Sequence, residues 1–208
     1  SILHEISTEP LHRHYLDSIN AAGKTLLQLI NDILDLSKIE AGKFELHYSA
    51  VPVKTLAKEI GTVFQPKLEE KNIEFVLEIA SDVPENLVLD EIRLRQVLLN
   101  LLGNAVKFTH LGFVKLSFAT EAVTAEKVNL FIRVTDTGIG IAKDQQEKIF
   151  SAFTQQDNQS LIYGGTGLGL TICRRLVELM QGTIKVSSEL GQGSCFELSL
   201  PNVEIAEK

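Results

Sequence analysis

Three short stretches carry side chains whose types and spacing can do chemistry. The first is Asn100-Leu-Leu-Gly-Asn104-Ala-Val-Lys107-Phe108-Thr109. Asn104 follows Asn100 by four residues and Lys107 follows by three more, so in a helix all three share one face. Neutral amide oxygens can ligate a hard cation while phosphate oxygens supply the negative charge. A lysine adds a point charge for phosphate. The second stretch is Asp136-Thr137-Gly138-Ile139-Gly140-Ile141, at the end of an apolar run from Val128 to Val134. The run delivers a carboxylate to a pocket, and the glycines let backbone approach a ligand where a Cβ would clash. The third is Gly164-Gly165-Thr166-Gly167-Leu168-Gly169-Leu170, opening a helix. Glycines there leave the first helical N–H groups free to meet phosphate, helped by the helix dipole.

Taken singly, each stretch has a plainer reading. A strand ending in Asp-x-Gly is an ordinary turn, and an Asn/Lys face is an exposed stripe on an amphipathic helix. Thr166 suits both a helix cap and a phosphate contact. The glycine run is not a Walker loop, because the Lys-Ser/Thr ending is absent. No strand feeds directly into it, so it is not a Rossmann fingerprint.

Together and in this order, the three stretches resemble the N, G1 and G2 boxes of sensor histidine kinases. Phe150 and Phe153 resemble the F box; as residues they read equally as two core aromatics. Leu26 to Lys43 resembles the second helix of the dimerisation and phosphotransfer domain, in wording closest to hybrid kinases that carry a receiver domain further on. The resemblance implies an ATP site holding Mg²⁺. Asn104 would be the metal ligand, with Asn100 and Lys107 near the phosphates and catalysis. Asp136 would read adenine, since a carboxylate accepts a hydrogen bond from its exocyclic amine. Phe108, Gly138, Gly140, Ile141, Tyr163, Gly165, Thr166, Gly167, Leu168, Gly169 and Leu170 would complete the nucleotide site. The implied fold class is α+β: a helical hairpin or coiled-coil segment followed by a Bergerat-type (GHKL) α/β sandwich.

Composition narrows the classes. Hydrophobic residues make up 44% of the 208, enough for a substantial core. The formal net charge is −7 with no basic block, which argues against nucleic acid as a partner. No run reaches membrane-spanning length and no signal-peptide pattern is present. Cys173 and Cys195 lack metal-ligand spacing; reduced thiols in a cytosolic setting are the simple reading, and a disulfide between the two is the alternative. The only methionine is Met180, so the chain reads as a processed or excised fragment; the resemblance implies the cytosolic part of a larger sensor, membrane-anchored or not.

Elements must position these groups. Thr8-Glu9-Pro10 reads as a helix start, followed by a stripe of Leu16, Ile19, Gly23, Leu26, Ile30 and Ile33 at a period near 3.5. Leu27, Leu29, Leu34 and Leu36 widen it, and Gly42 ends it. That helix suits an intramolecular bundle or a homodimer through residues 10–43. Strands are expected over Phe44–Tyr48, Ile73–Ile79, Leu87–Leu89, Phe113–Ala119, Val128–Val134, Ile184–Ser188 and Ser194–Leu200. Helices are expected from Val53 through Leu68, over Asp90–Phe108, Lys143–Phe150 and Thr166–Met180. The order fits a mixed sheet covered on one face by helices. The domains are then residues 1–43 (a partial helical segment), 44–201 (the ATP-binding domain) and a frayed tail at 202–208.

Departures from the family pattern matter equally. Related ATPases of this fold carry glutamate where Asn100 stands; an amide is no general base at neutral pH. The pocket therefore suits handing phosphate to another acceptor. His4-Glu5-Ile6-Ser7-Thr8-Glu9-Pro10-Leu11 superficially resembles the H box, but a residue is inserted before the proline. His4 also lies too close to the following helix, short by roughly five helical turns. The acceptor histidine is expected outside the chain, and His12, His14, His47 and His110 are expected at the surface. Leu161 and Ile162 stand where relatives place Arg or Lys, trading a phosphate contact for an apolar lid surface. Arg95 is expected to be a surface or supporting residue. The leading reading is the catalytic core of a hybrid-type sensor kinase, acting on a histidine and, onward, a receiver aspartate. A regulatory pseudo-kinase and an ATP-hydrolysing machine of the same fold are the alternatives. An ATPase assay with phosphotransfer to a supplied H-box domain separates them.

Overall fold

A computed structural model describes residues 10–152 and 167–206. The chain forms two compact units, Ser1–Phe44 and Glu45–Lys208. The first contains helix α1, Pro10–Glu40, about 46 Å long at 1.5 Å per residue. It stops at Gly42, which has φ +64°. The Gly42 N–H donates to Ile39 O and the Lys43 N–H to Lys38 O, both at 3.0 Å. These paired bonds close the last carbonyls around a left-handed residue that glycine adopts without strain. Much of the apolar stripe is exposed: Ile19, Leu26, Ile30 and Ile33 are 45–67% accessible, and Leu27 and Leu34 stand beside them.

The second unit runs β1 (Ser49–Pro52), α2 (Val53–Glu70), β2 (Glu74–Ile79), β3 (Asn86–Leu89), α3 (Glu91–Phe108), β4 (Phe113–Ala122), β5 (Lys127–Asp136), α4 (Gly169–Leu179), β6 (Thr183–Glu189) and β7 (Gly193–Glu204). Five strands make one sheet in the order β2-β4-β5-β7-β6. β2 pairs parallel to β4, and every other neighbouring pair is antiparallel. β1 and β3 form a separate antiparallel pair. The alternation in β4, β5 and β7 turns Val114, Leu116, Phe118, Leu130, Ile132, Val134 and Leu198 to one face, all essentially buried. Against it pack α2, α3 and α4, with Leu94, Val97, Leu98, Leu101 and Leu102 supplying the α3 side. Each such side chain contributes roughly 1.5–3 kcal/mol. The other face carries solvent-facing ion pairs, Lys115 with Glu78 and Arg133 with Glu197. The fold is the mixed sheet with helices on one face that the sequence implies.

Several local expectations give way. Phe44–Tyr48 alternates like a strand but is not one; the His47 N–H donates to Asp90 Oδ2 at 2.8 Å instead of to a ladder, and pairing begins at Ser49. Lys143–Phe150 makes turns and a single 3₁₀ turn at Lys148–Phe150. Its Gln146 side chain is drawn to the carbonyls of Ile141 and Ser188, and tertiary bonding overrides helix propensity. Val63 falls in helical register with Leu56 and Ile60, yet it is 61% exposed where they are buried. α4 starts at Gly169 rather than Thr166 and runs to Leu179, with the left-handed Gln181 (φ +60°) just beyond its C-cap Met180. Gly182 is needed for approach, since a Cβ there would sit 2.6 Å from Ser199 O. Beyond Pro201 the chain does not fray at once. β7 continues to Glu204, Ile205 bridges Leu87, and the Ala206 N–H donates to Asn86 O at 3.2 Å.

Candidate functional site

Helix α3 is held at both ends. At its start, buried Asp90 accepts the Arg93 N–H through Oδ1 (3.0 Å) and the His47 N–H through Oδ2 (2.8 Å). At its end, Lys71 Nζ donates to the carbonyls of Val106 (2.6 Å), Lys107 (3.2 Å) and Thr109 (3.1 Å). A cation on those terminal carbonyls complements the helix dipole. Burial, with Lys67 nearby, pulls the Lys71 ammonium below its usual pKa, and Glu70 partly restores it. Neither end is close in sequence to Asn100. Arg95 pairs with Glu91 and with Glu59 of α2, both at 2.7 Å, a supporting role.

With its apolar stripe on the sheet, α3 leaves Asn100, Asn104 and Lys107 half-buried along its flank. Asn104 Nδ2 donates to Asn100 Oδ1 at 3.3 Å. Asn104 thereby uses an N–H on its neighbour, and its carbonyl oxygen is the atom suited to a cation. Among the described residues no group of three His, Cys, Asp or Glu could hold a metal. Amide oxygen plus ligand phosphate is the donor set that fits Mg²⁺ here. Lys107 Nζ lies 4.8 Å from the Phe108 ring centroid. Desolvation, then the charge of Lys67, lowers its pKa.

The carboxyl end of β5 abuts α3. Asp136 is 7% exposed, and its Oδ1 accepts the Gly138 N–H at 2.8 Å. Burial raises its pKa, and the backbone N–H groups of Gly138 and Ser194 pull it back. The Ile139 N–H donates to Phe108 O at 3.4 Å. A Cβ at Gly138 would lie 2.6 Å from that same oxygen. Gly140 has φ +71°, and a Cβ there would meet Glu189 O at 2.0 Å. Ile141 is held by its N–H on Ser188 Oγ at 2.7 Å. Phe108, Asp136, Gly138, Gly140 and Ile141 therefore form one bonded group with the loop between β6 and β7.

α4 reaches the same place. A Cβ at Gly169 would lie 2.2 Å from Asn100 Nδ2, so the first turn of α4 rests on the amide of α3. Leu168 occupies the N-cap position, fully buried and with no side-chain cap. Among the described residues no side chain caps this helix, and a helix start without a side-chain cap is one that can take an anion. Gly167 precedes it at φ +69°, and Leu170 follows in the first turn. Tyr163, Gly165 and Thr166 lie outside the described residues, as do His4, Phe153, Leu161 and Ile162. Phe150 is 4% exposed, edge-on to Phe196 at 6.3 Å, with the Arg174 guanidinium 4.2 Å from its ring centroid.

Sequence reasoning did not single out Ser188, Ser194, Gln146, Lys71 or Thr137. Thr137 Oγ1 accepts the Phe113 N–H at 3.0 Å and lies 3.0 Å from Leu111 O, tying β5 to the segment after α3. The signal for Ser188 was the hairpin around Gly191 and Gly193, whose register sets Ser188 opposite Ser194.

Comparison with known proteins decides the family. Residues 89–204 match the family model "Histidine kinase-, DNA gyrase B-, and HSP90-like ATPase". The chain belongs to this family. Residues 1–42 match the "His Kinase A (phospho-acceptor) domain". The chain is 40% identical over 188 residues to the signal transduction histidine-protein kinase BarA of Escherichia coli, covering 90% of this chain and 20% of BarA. It is 40% identical over 200 residues to the sensor histidine kinase GacS of Pseudomonas protegens, covering 96% of this chain and 22% of GacS. The chain thus spans about a fifth of the length of these curated relatives. Among solved structures, full-length ShkA in complex with AMPPNP superposes with TM-score 0.80 at 36% identity, covering 99% of this chain and 42% of that one. The catalytic domain of histidine kinase ThkA gives TM-score 0.61 at 30% identity, covering 76% of this chain and 97% of that domain.

Proposed function

We propose that the kinase core binds ATP with Mg²⁺ between α3, the Asp136–Ile141 segment and the start of α4, and donates the γ-phosphoryl group to a histidine. One observation carries the reading: Asn100 touches the first turn of α4 while Phe108 O binds the Ile139 N–H, so amides, lysine, carboxylate and open helix start converge. Asp136 would accept a hydrogen bond from the adenine amine; Asn104 would offer its amide oxygen to the metal; Asn100, Lys107 and the α4 N–H groups would face the phosphates. Mg²⁺ would neutralise phosphate charge there. Catalysis is then positioning and charge neutralisation. No glutamate stands at position 100 to activate water, which favours transfer over hydrolysis.

The acceptor histidine lies outside this chain, and a receiver aspartate is the next acceptor, as in a hybrid sensor kinase. The exposed apolar face of α1 (Ile19, Leu26, Ile30, Ile33) supports a homodimer through residues 10–43. Net charge −7 gives nucleic acid no footing. No described helix is long and apolar enough to cross a membrane, and a cytoplasmic setting is proposed on the chemistry of ATP and reduced thiols. The test is incubation with γ-labelled ATP, alone and with a supplied H-box domain. Acid-labile label should appear only on the supplied histidine. Label on His4, steady ATP hydrolysis, or no transfer at all would each overturn the reading, the last favouring a nucleotide-binding pseudo-kinase.

A further inference from the structure

The hairpin joining β6 to β7 holds hydroxyls that the proposed chemistry does not use. Ser188 Oγ has one proton and two lone pairs, and three neighbours claim them. It lies 2.7 Å from Gly193 O, which can only accept, so its proton goes there. The Ile141 N–H, at 2.7 Å, takes one lone pair. Ser194 Oγ, at 2.9 Å, must then donate to the other. Ser194 also stands opposite Asp136 in the β5–β7 ladder, and its backbone N–H helps to pull the pKa of that carboxylate down.

A second tie joins the same residues. Gln146 Nε2 donates to Ile141 O at 3.1 Å and to Ser188 O at 2.8 Å. The N–H and the C=O of Ile141 are thus both fastened to residue 188, one directly and one through an amide. The Gly191 N–H donates to Ile139 O at 2.8 Å, which fixes the peptide between. Ser188 therefore sits at a node linking the Asp136 carboxylate to the far end of the glycine segment, and it touches no proposed phosphate group.

We propose that Ser188, with Gln146 and Ser194, is a positioning clamp that aims the Asp136 carboxylate and thereby sets the preference for adenine over guanine. The inference rests on the proposed adenine-binding role of Asp136. A clamp that only stabilised the fold would weaken all nucleotides alike; one that aims the carboxylate weakens the adenine nucleotide selectively, because Asp136 reads the exocyclic amine.

The test measures MgADP and MgGDP affinity of the full 208-residue chain by competition calorimetry, for Ser188→Ala, Ser188→Thr, Gln146→Leu and Asp136→Asn, each shown to be folded by its melting transition. The ratio of GDP to ADP dissociation constants should fall about 5–10-fold in Ser188→Ala and less in Gln146→Leu, through loss of ADP affinity, and Ser188→Thr should restore it. Equal loss for both nucleotides, or an unchanged ratio in every folded clamp variant, overturns the clamp. Should Ser188→Ala fail to fold, Gln146→Leu decides by the same criterion. If Asp136→Asn itself leaves the ratio unchanged, the adenine reading fails; if it abolishes the preference while the clamp variants keep it, only the clamp fails.

Discussion

The two ends of the proposed nucleotide site are built on opposite terms. At the base end, backbone groups of residues 136–141 are bonded to Phe108, Ser188 and Gly191, and Gly140 is pressed against Glu189 O. At the phosphate end, α4 begins without a side-chain cap, and Asn104 and Lys107 line a half-buried flank. The difference teaches a division of labour. Where the chain satisfies its own polar groups it defines a shape, and shape discriminates among bases. Where it leaves the start of a helix uncapped, the ligand completes the hydrogen bonding, and binding doubles as charge neutralisation.

Glycine substitutions at the two ends should break this contrast most sharply. Gly140→Ala adds a Cβ that meets backbone, at a φ that L-residues rarely adopt. Neither partner can yield, so the variant should lose on the order of 3 kcal/mol of stability, read as roughly a 10 °C fall in melting temperature. A loss under 1 °C would mean the segment is not held as described. At the other end, Asn104→Ala should leave the melting temperature nearly unchanged while cutting phosphotransfer to a supplied H-box domain about 100-fold. Unaltered transfer would remove the metal role from Asn104.

Gly169→Ala sharpens the same comparison, because its Cβ would meet a side chain, Asn100 Nδ2, at 2.2 Å. A side chain can rotate away. Stability should change by less than about 1 kcal/mol, whereas MgADP affinity should drop about 10-fold as Asn100 is displaced. Equal damage to both properties would contradict the division. The smallest effect is with pH. Burial raises the Asp136 pKa above 3.8. A carboxyl raised in the folded state binds its proton more readily there, so its contribution to stability is present at low pH and lost as pH rises through the folded value. Adenine recognition runs the other way, since the amine needs an ionised acceptor. ADP affinity, followed by calorimetry from pH 7 downward, should weaken with a midpoint above 3.8, and Asp136→Asn should abolish that step.

The elements that carry the proposed site residues were legible in the sequence because they are local. Asn100, Asn104 and Lys107 share a helix face by spacing alone, and the alternation over Val128–Val134 located β5 and its terminal Asp136. What stayed hidden depends on partners distant in the chain. Lys71 reaches carbonyls more than thirty residues away, and nothing in its own neighbourhood points there. Ser188 gains meaning only once β6 and β7 are in register and the 136–141 segment folds beneath them. Phe44–Tyr48 and Lys143–Phe150 misled for the same reason. Their local patterns were sound, but His47 and Gln146 had long-range hydrogen bonds to make. The tail beyond Pro201 was read as frayed because two-strand pairing past that proline, up to Glu204, leaves no periodic signal.

The proposed site binds one ligand in one orientation. A crystal structure of the 208-residue chain with Mg²⁺ and AMPPNP addresses it directly. The adenine amine should lie within hydrogen-bond reach of Asp136, the metal on Asn104 Oδ1, and the phosphates over the first turn of α4. A base bound away from Asp136, or a metal held by other groups, would contradict the assignment.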